Sequence, residues 1–289
     1  MTLPLFSPSD SPGPSFVHLL AAMGGRGAQP SCSPPAPGFP PEGGRPGPLA
    51  FDLRHGTTIV AIRYGDGVVM AGDRRATAGS SIAHRTMEKV HPADRHSGVA
   101  IAGAAGPAME MVRLFQLQLE HYEKVEGAAL SLEGKANQLS QMVRSHLGMA
   151  MQGFVVVPLF AGFDTRRNRG RIYTYDPTGG RYEETDFHAD GSGGRDARTT
   201  VKLGWRDEMD RAAAIELAVN ALWQAADEDS ATGGPDVVRG IYPTVATITA
   251  GGFERVPGPE VAERFTAVVA TLSAAERGAG AAPGSEAGR

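Results

Sequence analysis

The order of elements predicts an α+β protein, a four-layer αββα sandwich in which two packed antiparallel sheets lie between helix layers. Two observations carry this. Groups of strand-like runs alternate with pairs of helix-like segments, in the order strands, helices, strands, helices. No single strand alternates with a single helix, as the βαβ units of a parallel sheet require.

The first strands are read at 57–63 and 68–71, around Gly65-Asp66-Gly67. Glycine tolerates positive φ, so this spacing is a hairpin signal. A short strand follows at 99–102. Pro107 suits a first helical turn, and Met111, Phe115, Leu119 and Tyr122 then recur at helical spacing. Ala136, Leu139, Val143, Leu147 and Ala150 repeat that pattern in a second helix. Strands return at 154–163 and 171–176. A third helix carries Met209, Ala213, Leu217, Ala221 and Leu222. Residues 242–249 form a strand rich in β-branched side chains, and Val261, Phe265, Val268 and Leu272 mark a last helix. No internal repeat is present.

The two ends differ in composition. Residues 1–50 are dense in Pro, Gly and Ser, as in Pro34-Pro35-Ala36-Pro37-Gly38. Such a segment buries too little apolar surface to offset chain entropy, so it is expected to be mostly disordered, apart from a short helix at 15–23. The composition changes after Pro48, and a tail from about Ala274 is rich in Ala and Gly. The expected organisation is a segment 1–56, a folded domain 57–273 and a flexible tail 274–289.

Bulk properties exclude several classes. The net charge of −4 leaves no footprint for nucleic acid or an anionic membrane. No apolar run reaches the roughly 20 residues that a bilayer requires. A single cysteine, Cys32, excludes an internal disulfide and fits a reducing compartment. The apolar patch at 16–23 contains His18 and has no basic residue before it, unlike a secretion signal. A cytoplasmic protein is expected. The eight histidines include no His-x-x-His pair suited to zinc, so no metal is expected. The glycines at 191–194 sit in neither a dinucleotide fingerprint nor a P-loop, so no cofactor is expected and ATP would be used by a partner. Glu183-Glu184 and Asp227-Glu228 read as exposed acidic faces.

The chemistry centres on His55-Gly56-Thr57-Thr58-Ile59-Val60. A proline- and glycine-rich segment ends at Gly56, and a strand begins at once with Thr57. Were the bond after Gly56 cut, Thr57 would carry a hydroxyl and a free α-amine, and the amine can serve as base for the hydroxyl. An α-amine has a pKa of about 7.7–8.0, which suits proton transfer near neutrality. Glycine before the cut leaves the backbone free to contort. Alone, Gly-Thr-Thr reads as the start of an ordinary strand. Downstream, Asp73 ends the second strand and Lys89 follows in Met87-Glu88-Lys89-Val90. A carboxylate and an ammonium on neighbouring strand ends can meet beside Thr57. The ammonium would then lower the pKa of the hydroxyl and stabilise developing charge. Alone, either residue reads as one half of a surface salt bridge.

Taken together, Gly56-Thr57-Thr58, Gly72-Asp73-Arg74-Arg75 and Lys89, at offsets of 16 and 32 from Thr57, resemble the pattern of proteasome β subunits of the bacterial, actinobacterial type, which are threonine peptidases. Ala102-Gly103-Ala104-Ala105-Gly106 resembles the family's oxyanion segment, which implies that the Gly103 N–H faces the substrate carbonyl. Gly191-Ser192-Gly193 is similar to the loop whose serine contacts the threonine amine. Asp229-Ser230-Ala231-Thr232-Gly233-Gly234 is similar to the loop whose aspartate supports that serine. The matches run in order from Thr57 to about Val256.

By resemblance, the catalytic set is Thr57, Asp73, Lys89, Ser192 and Asp229, with self-cleavage between Gly56 and Thr57. The specificity pocket would be formed by Ala76, Thr77, Met87, Ile101, Ala105 and Met109, which fits cleavage after large apolar residues. Partners implied are α subunits and other β subunits in stacked seven-membered rings, a ring ATPase, and unfolded or tagged proteins. The leader at 1–56 and the Ser-Ala-Thr-Gly-Gly-Pro-Asp stretch favour this family over a simpler two-ring threonine peptidase. A non-catalytic ring subunit would usually lack the threonine, lysine or glycine that this chain keeps. The sequence departs from the family at Gly194-Arg195-Asp196-Ala197-Arg198, where a serine and an apolar run are expected; a polar, flexible loop is read there instead. A longer loop than usual is also read around 164–171.

Overall fold

The computed structural model describes residues 56–79 and 81–279, with only the backbone at 275–279. The readings made for residues 1–50, for a helix at 15–23 and for Cys32 lie outside these residues. The chain opens with β1 (Thr58–Tyr64) and β2 (Gly67–Gly72), the expected hairpin, closed by the two-residue turn Gly65-Asp66. Neither Gly65 nor Gly67 takes a positive φ. Gly67 is needed for space instead: a Cβ there would stand 2.0 Å from the Ile248 carbonyl oxygen.

Then come β3 (Ala76–Ala78) and β4 (Ser81–His84), a two-stranded ribbon, followed by β5 (Val90–Asp94) and β6 (Ser97–Gly103). Helices α1 (Ala105–Glu126) and α2 (Leu132–Ser145) follow, with a single turn α3 (Leu147–Ala150). Next are β7 (Val156–Asp164), β8 (Arg169–Tyr175), β9 (Arg181–Glu184) and β10 (Phe187–Gly191). The chain continues through α4 (Gly194–Gly204), α5 (Arg211–Glu228), β11 (Thr244–Thr249), β12 (Gly252–Arg255) and α6 (Gly258–Ala279). The last helix therefore continues past the boundary expected at about Ala274.

Two five-stranded sheets result, in the orders β10-β1-β2-β11-β12 and β5-β6-β7-β8-β9, and all their pairings are antiparallel. Successive side chains on a strand point to opposite faces. On β1, Ile59 and Ala61 face the other sheet, whereas Val60 and Ile62 face α4 and α5. On β7, Leu159, Ala161 and Phe163 lie between the sheets, whereas Val156 and Phe160 meet α1 and α2. Both faces of these strands are covered, so the strands read as nearly unbroken apolar runs. The layers are helix, sheet, sheet, helix, as the element order predicts.

The structure corrects several local readings. Tyr122, near the end of α1, is exposed, and so is Leu147, because α2 stops at Ser145 and α3 is a separate turn. The segment from Gly194 is a helix, not a flexible loop. Its charges face outward while Ala197 and Val201 are fully buried on β1's helix-facing layer. Around 164–171 there is no long loop: Asp164 pairs with Arg169, which leaves a four-residue turn. Glu183 is not a bare acidic face, since it receives two hydrogen bonds from the buried Arg171 guanidinium at 2.7 and 2.6 Å.

Candidate active site

Asp73 leaves β2 directly after its last residue, and Lys89 directly precedes β5. These strands belong to different sheets, so the two side chains meet across the sandwich rather than on neighbouring strands of one sheet. Lys89 Nζ donates to Asp73 Oδ1 at 2.6 Å, and both residues are buried. The same Oδ1 accepts the Thr58 N–H at 2.8 Å, while Oδ2 accepts N–H groups of Arg75 and Gly233, each at 2.9 Å. Four donors hold this carboxylate in one orientation. Burial pushes the Lys89 ammonium below the usual lysine value, and Asp73 opposes that shift.

Lys89 Nζ also donates to the Gly56 carbonyl oxygen at 3.2 Å. The Thr57 hydroxyl donates to that same oxygen at 2.8 Å. The carbonyl before Thr57 is thus polarised by an ammonium, with the hydroxyl beside it. Gly56 is needed here for space: a Cβ would lie 2.1 Å from Ala231 Cβ.

On the other side, the Thr57 N–H donates to Ser192 Oγ at 3.2 Å, and Ser192 Oγ donates to Asp229 Oδ2 at 2.5 Å. Ser192 is set by β10, whose last residue Gly191 pairs with Thr58, and the Ser192 N–H donates to the Thr57 carbonyl at 2.8 Å. Burial pushes the Asp229 carboxyl up. Hydrogen bonds from Ser192, Thr232 and the Ala231 and Thr232 N–H groups outweigh it and hold the carboxyl below the usual range. Asp229 is therefore an acceptor at neutral pH, and it directs the Ser192 proton away from Thr57.

Gly103 ends β6 with a φ of 109°, and a Cβ there would stand 2.1 Å from the Val155 carbonyl oxygen. It lies two residues past Ile101, whose N–H donates to the Lys89 carbonyl at 3.0 Å, so it shares the Lys89 end of the second sheet. Thr77, on β3, accepts the Gly56 N–H at 3.2 Å. Ala76 is buried beside it, and the Met87 N–H donates to the Arg74 carbonyl. Ala105 and Met109 are half-buried in the first turns of α1. Ile101 packs into the apolar layer beneath α1 and α2.

Three participants were not singled out from the sequence. Thr58 and Thr232 are both fully buried, with their hydroxyls 2.6 Å apart, and Gly233 supplies an N–H to Asp73. The available signal was position: Thr58 adjoins Thr57, and Thr232 and Gly233 lie within the run that begins at Asp229. Among the described residues, no group of three or more His, Cys, Asp or Glu side chains is placed to hold a metal ion.

Two antiparallel sheets between helix layers, with a threonine at the head of the first strand, are the αββα fold shared with the N-terminal-nucleophile hydrolases. The sequence matches the proteasome subunit family over residues 53–239. It is 57% identical over 279 residues to a protein of Acidimicrobium ferrooxidans named proteasome subunit beta, across 96% of this chain and 97% of that one. Proteins of the same name from Streptomyces griseus (59% over 214 residues, 74% of this chain and 76% of that one) and Jonesia denitrificans (57% over 208 residues, 72% and 69%) are also similar. The chain belongs to the proteasome subunit family, among its β subunits.

Proposed function

We propose that this β subunit is a threonine endopeptidase that removes its own residues 1–56 and then hydrolyses unfolded proteins inside a proteasome core particle. The observation that carries this is the Gly56 carbonyl oxygen, which receives both Lys89 Nζ and the Thr57 hydroxyl. Attack of Thr57 Oγ1 on the Gly56 carbonyl carbon closes a five-membered ring through Cβ, Cα and N. Collapse of that ring breaks the Gly56–Thr57 amide, leaving an ester on Oγ1 and a free α-amine. Water then opens the ester, giving a Gly56 carboxylate and regenerating the hydroxyl. In the mature enzyme the amine takes the Oγ1 proton during attack on a substrate carbonyl and passes it to the leaving amine.

Lys89 stabilises charge on the oxygen, Asp73 holds Lys89, and the Gly103 N–H binds the carbonyl oxygen of the tetrahedral intermediate. Ala76, Thr77, Met87, Ile101, Ala105 and Met109 form the specificity pocket. All are uncharged, so a buried Arg or Glu side chain would leave its charge unpaired, while Leu or Tyr gains about 1.5–3 kcal/mol by leaving water. The partners are α subunits and further β subunits in stacked seven-membered rings, with a ring ATPase delivering unfolded or tagged proteins. Among the described residues no helix is long and apolar enough to cross a membrane, and a cytoplasmic location fits the single cysteine.

Fluorogenic peptides differing only in the residue before the cut test this. Particles assembled with the α subunit should cleave after Leu, Phe or Tyr, and Thr57→Ala particles should not cleave at all. Faster cleavage after Arg or Glu would show that the pocket is assigned wrongly.

A further inference from the structure

The second threonine of the Thr57-Thr58 pair has no part in the steps above, yet its side chain is fully buried and lies among groups that hold the site. Thr58 Oγ1 accepts the Gly193 N–H at 3.1 Å and lies 2.6 Å from Thr232 Oγ1. Thr232 Oγ1 in turn lies 2.6 Å from Asp229 Oδ2, the same oxygen that receives the Ser192 hydroxyl. Each hydroxyl has one proton, which determines the direction of the chain. An ionised carboxylate only accepts, so Thr232 donates to Asp229, and Thr58 must then donate to Thr232. The Gly193 N–H, Thr58 and Thr232 thus form a line of donors that all point toward the Asp229 carboxylate. Its beginning and its end both adjoin Ser192: one through the next residue of the chain, the other through the carboxylate.

We propose that Thr58 is a positioning residue for the peptidase reaction, its hydroxyl fixing the Ser192 loop and Asp229 together so that a Ser192 lone pair faces the Thr57 nitrogen. A Cβ on Gly193 would stand 2.6 Å from Thr58 Oγ1 and 2.8 Å from Thr232 Oγ1, which shows how closely the loop is seated on these hydroxyls. The inference rests on the peptidase assignment made above. In the mature enzyme Ser192 would accept from the Thr57 ammonium. Loosening Ser192 removes that stabilisation, so the amine should lose its proton at lower pH.

The test compares Thr58→Val, which keeps the β-branched shape and loses the hydroxyl, with Thr58→Ser, which keeps the hydroxyl. Both are measured in particles co-assembled with the α subunit, on the matured fraction. Thr58→Val should lower kcat about tenfold, the effect of losing one buried hydrogen bond, with KM unchanged. It should also move the acidic limb of the pH–kcat profile to lower pH, and Thr58→Ser should restore both. Thr232→Val breaks the chain at its next link and should reproduce both effects even where Thr58→Val fails to assemble. The double variant should be no slower than the slower single one. Wild-type kcat and an unmoved limb in either valine variant would overturn the proposal, as would a Thr58→Ser enzyme as impaired as Thr58→Val. A wild-type particle without turnover would overturn the peptidase assignment as well.

Discussion

Lys89 is 4% exposed and faces a carboxylate that already accepts three backbone N–H groups. Removing the ammonium therefore does two things: it takes a charge from the Gly56 carbonyl, and it leaves Asp73 buried without its counter-ion. Lys89→Ala should lower peptidase turnover by about 10²–10³ even when a mature Thr57 terminus is supplied by other means. Asp73→Asn should act in the same direction, because the lysine loses its anchor. Near-normal turnover by an assembled Lys89→Ala particle would remove the assigned role. The pH profile separates the remaining groups. Asp229 has a depressed folded value, so its contribution to stability is present above the unfolded value of about 3.9 and lost as pH falls through the folded one. It does not titrate near neutrality. The rising limb of kcat/KM should therefore belong to the Thr57 amine, centred at about 7.7–8.0 and increasing as the amine loses its proton. A limb centred below about pH 5 would assign the base to a carboxylate instead.

Among the elements, β10 and α4 decide whether Ser192 reaches Thr57. Gly191 joins them with a φ of 98°, and a Cβ there would stand 1.8 Å from the Thr57 carbonyl oxygen. Gly191→Ala should push the end of β10 away from β1, costing about 2 kcal/mol or more in stability and most of the activity. At this size that corresponds to a Tm lower by roughly 4–8 °C, measured by thermal unfolding. An unchanged Tm with unchanged turnover would show that the junction tolerates a side chain.

These same elements mark the limit of what the sequence discloses. The central strands and α1, α2, α5 and α6 were legible because their apolar residues recur at periods of 2 or 3.6 and are buried against a layer. Ser81–His84 is exposed along its whole length, so β4 carries no such pattern. In α4 only Ala197 and Val201 mark an inner face amid charged neighbours, and the segment read as a loop. Of the side chains brought together around Gly56, Thr57, Asp73 and Lys89 were legible through spacing and resemblance, and Ser192 and Asp229 through resemblance alone. Thr58 and Thr232 escaped because two threonines 174 positions apart pair only once the fold has formed.

At the scale of the molecule, the site draws on both sheets: Thr57 and Asp73 flank strands of the first, and Lys89 precedes the first strand of the second. A site divided between two sheets requires both to be in place, so the proposed self-cleavage would follow folding. Leu117 and Val125 on α1 and Val238 near β11 remain 60%, 65% and 94% exposed, as fits a subunit whose apolar surface is covered in an assembly. The central claim is that this folded chain cuts itself between Gly56 and Thr57. Its most direct test is the intact mass of the chain after co-expression with the α subunit, beside a Thr57→Ala variant expressed with no active neighbour. The wild-type mass should correspond to residues 57–289, and the variant should keep its full length of 289 residues. A mature chain beginning at any residue other than Thr57, or a Thr57→Ala chain trimmed at Gly56 by itself, would contradict it.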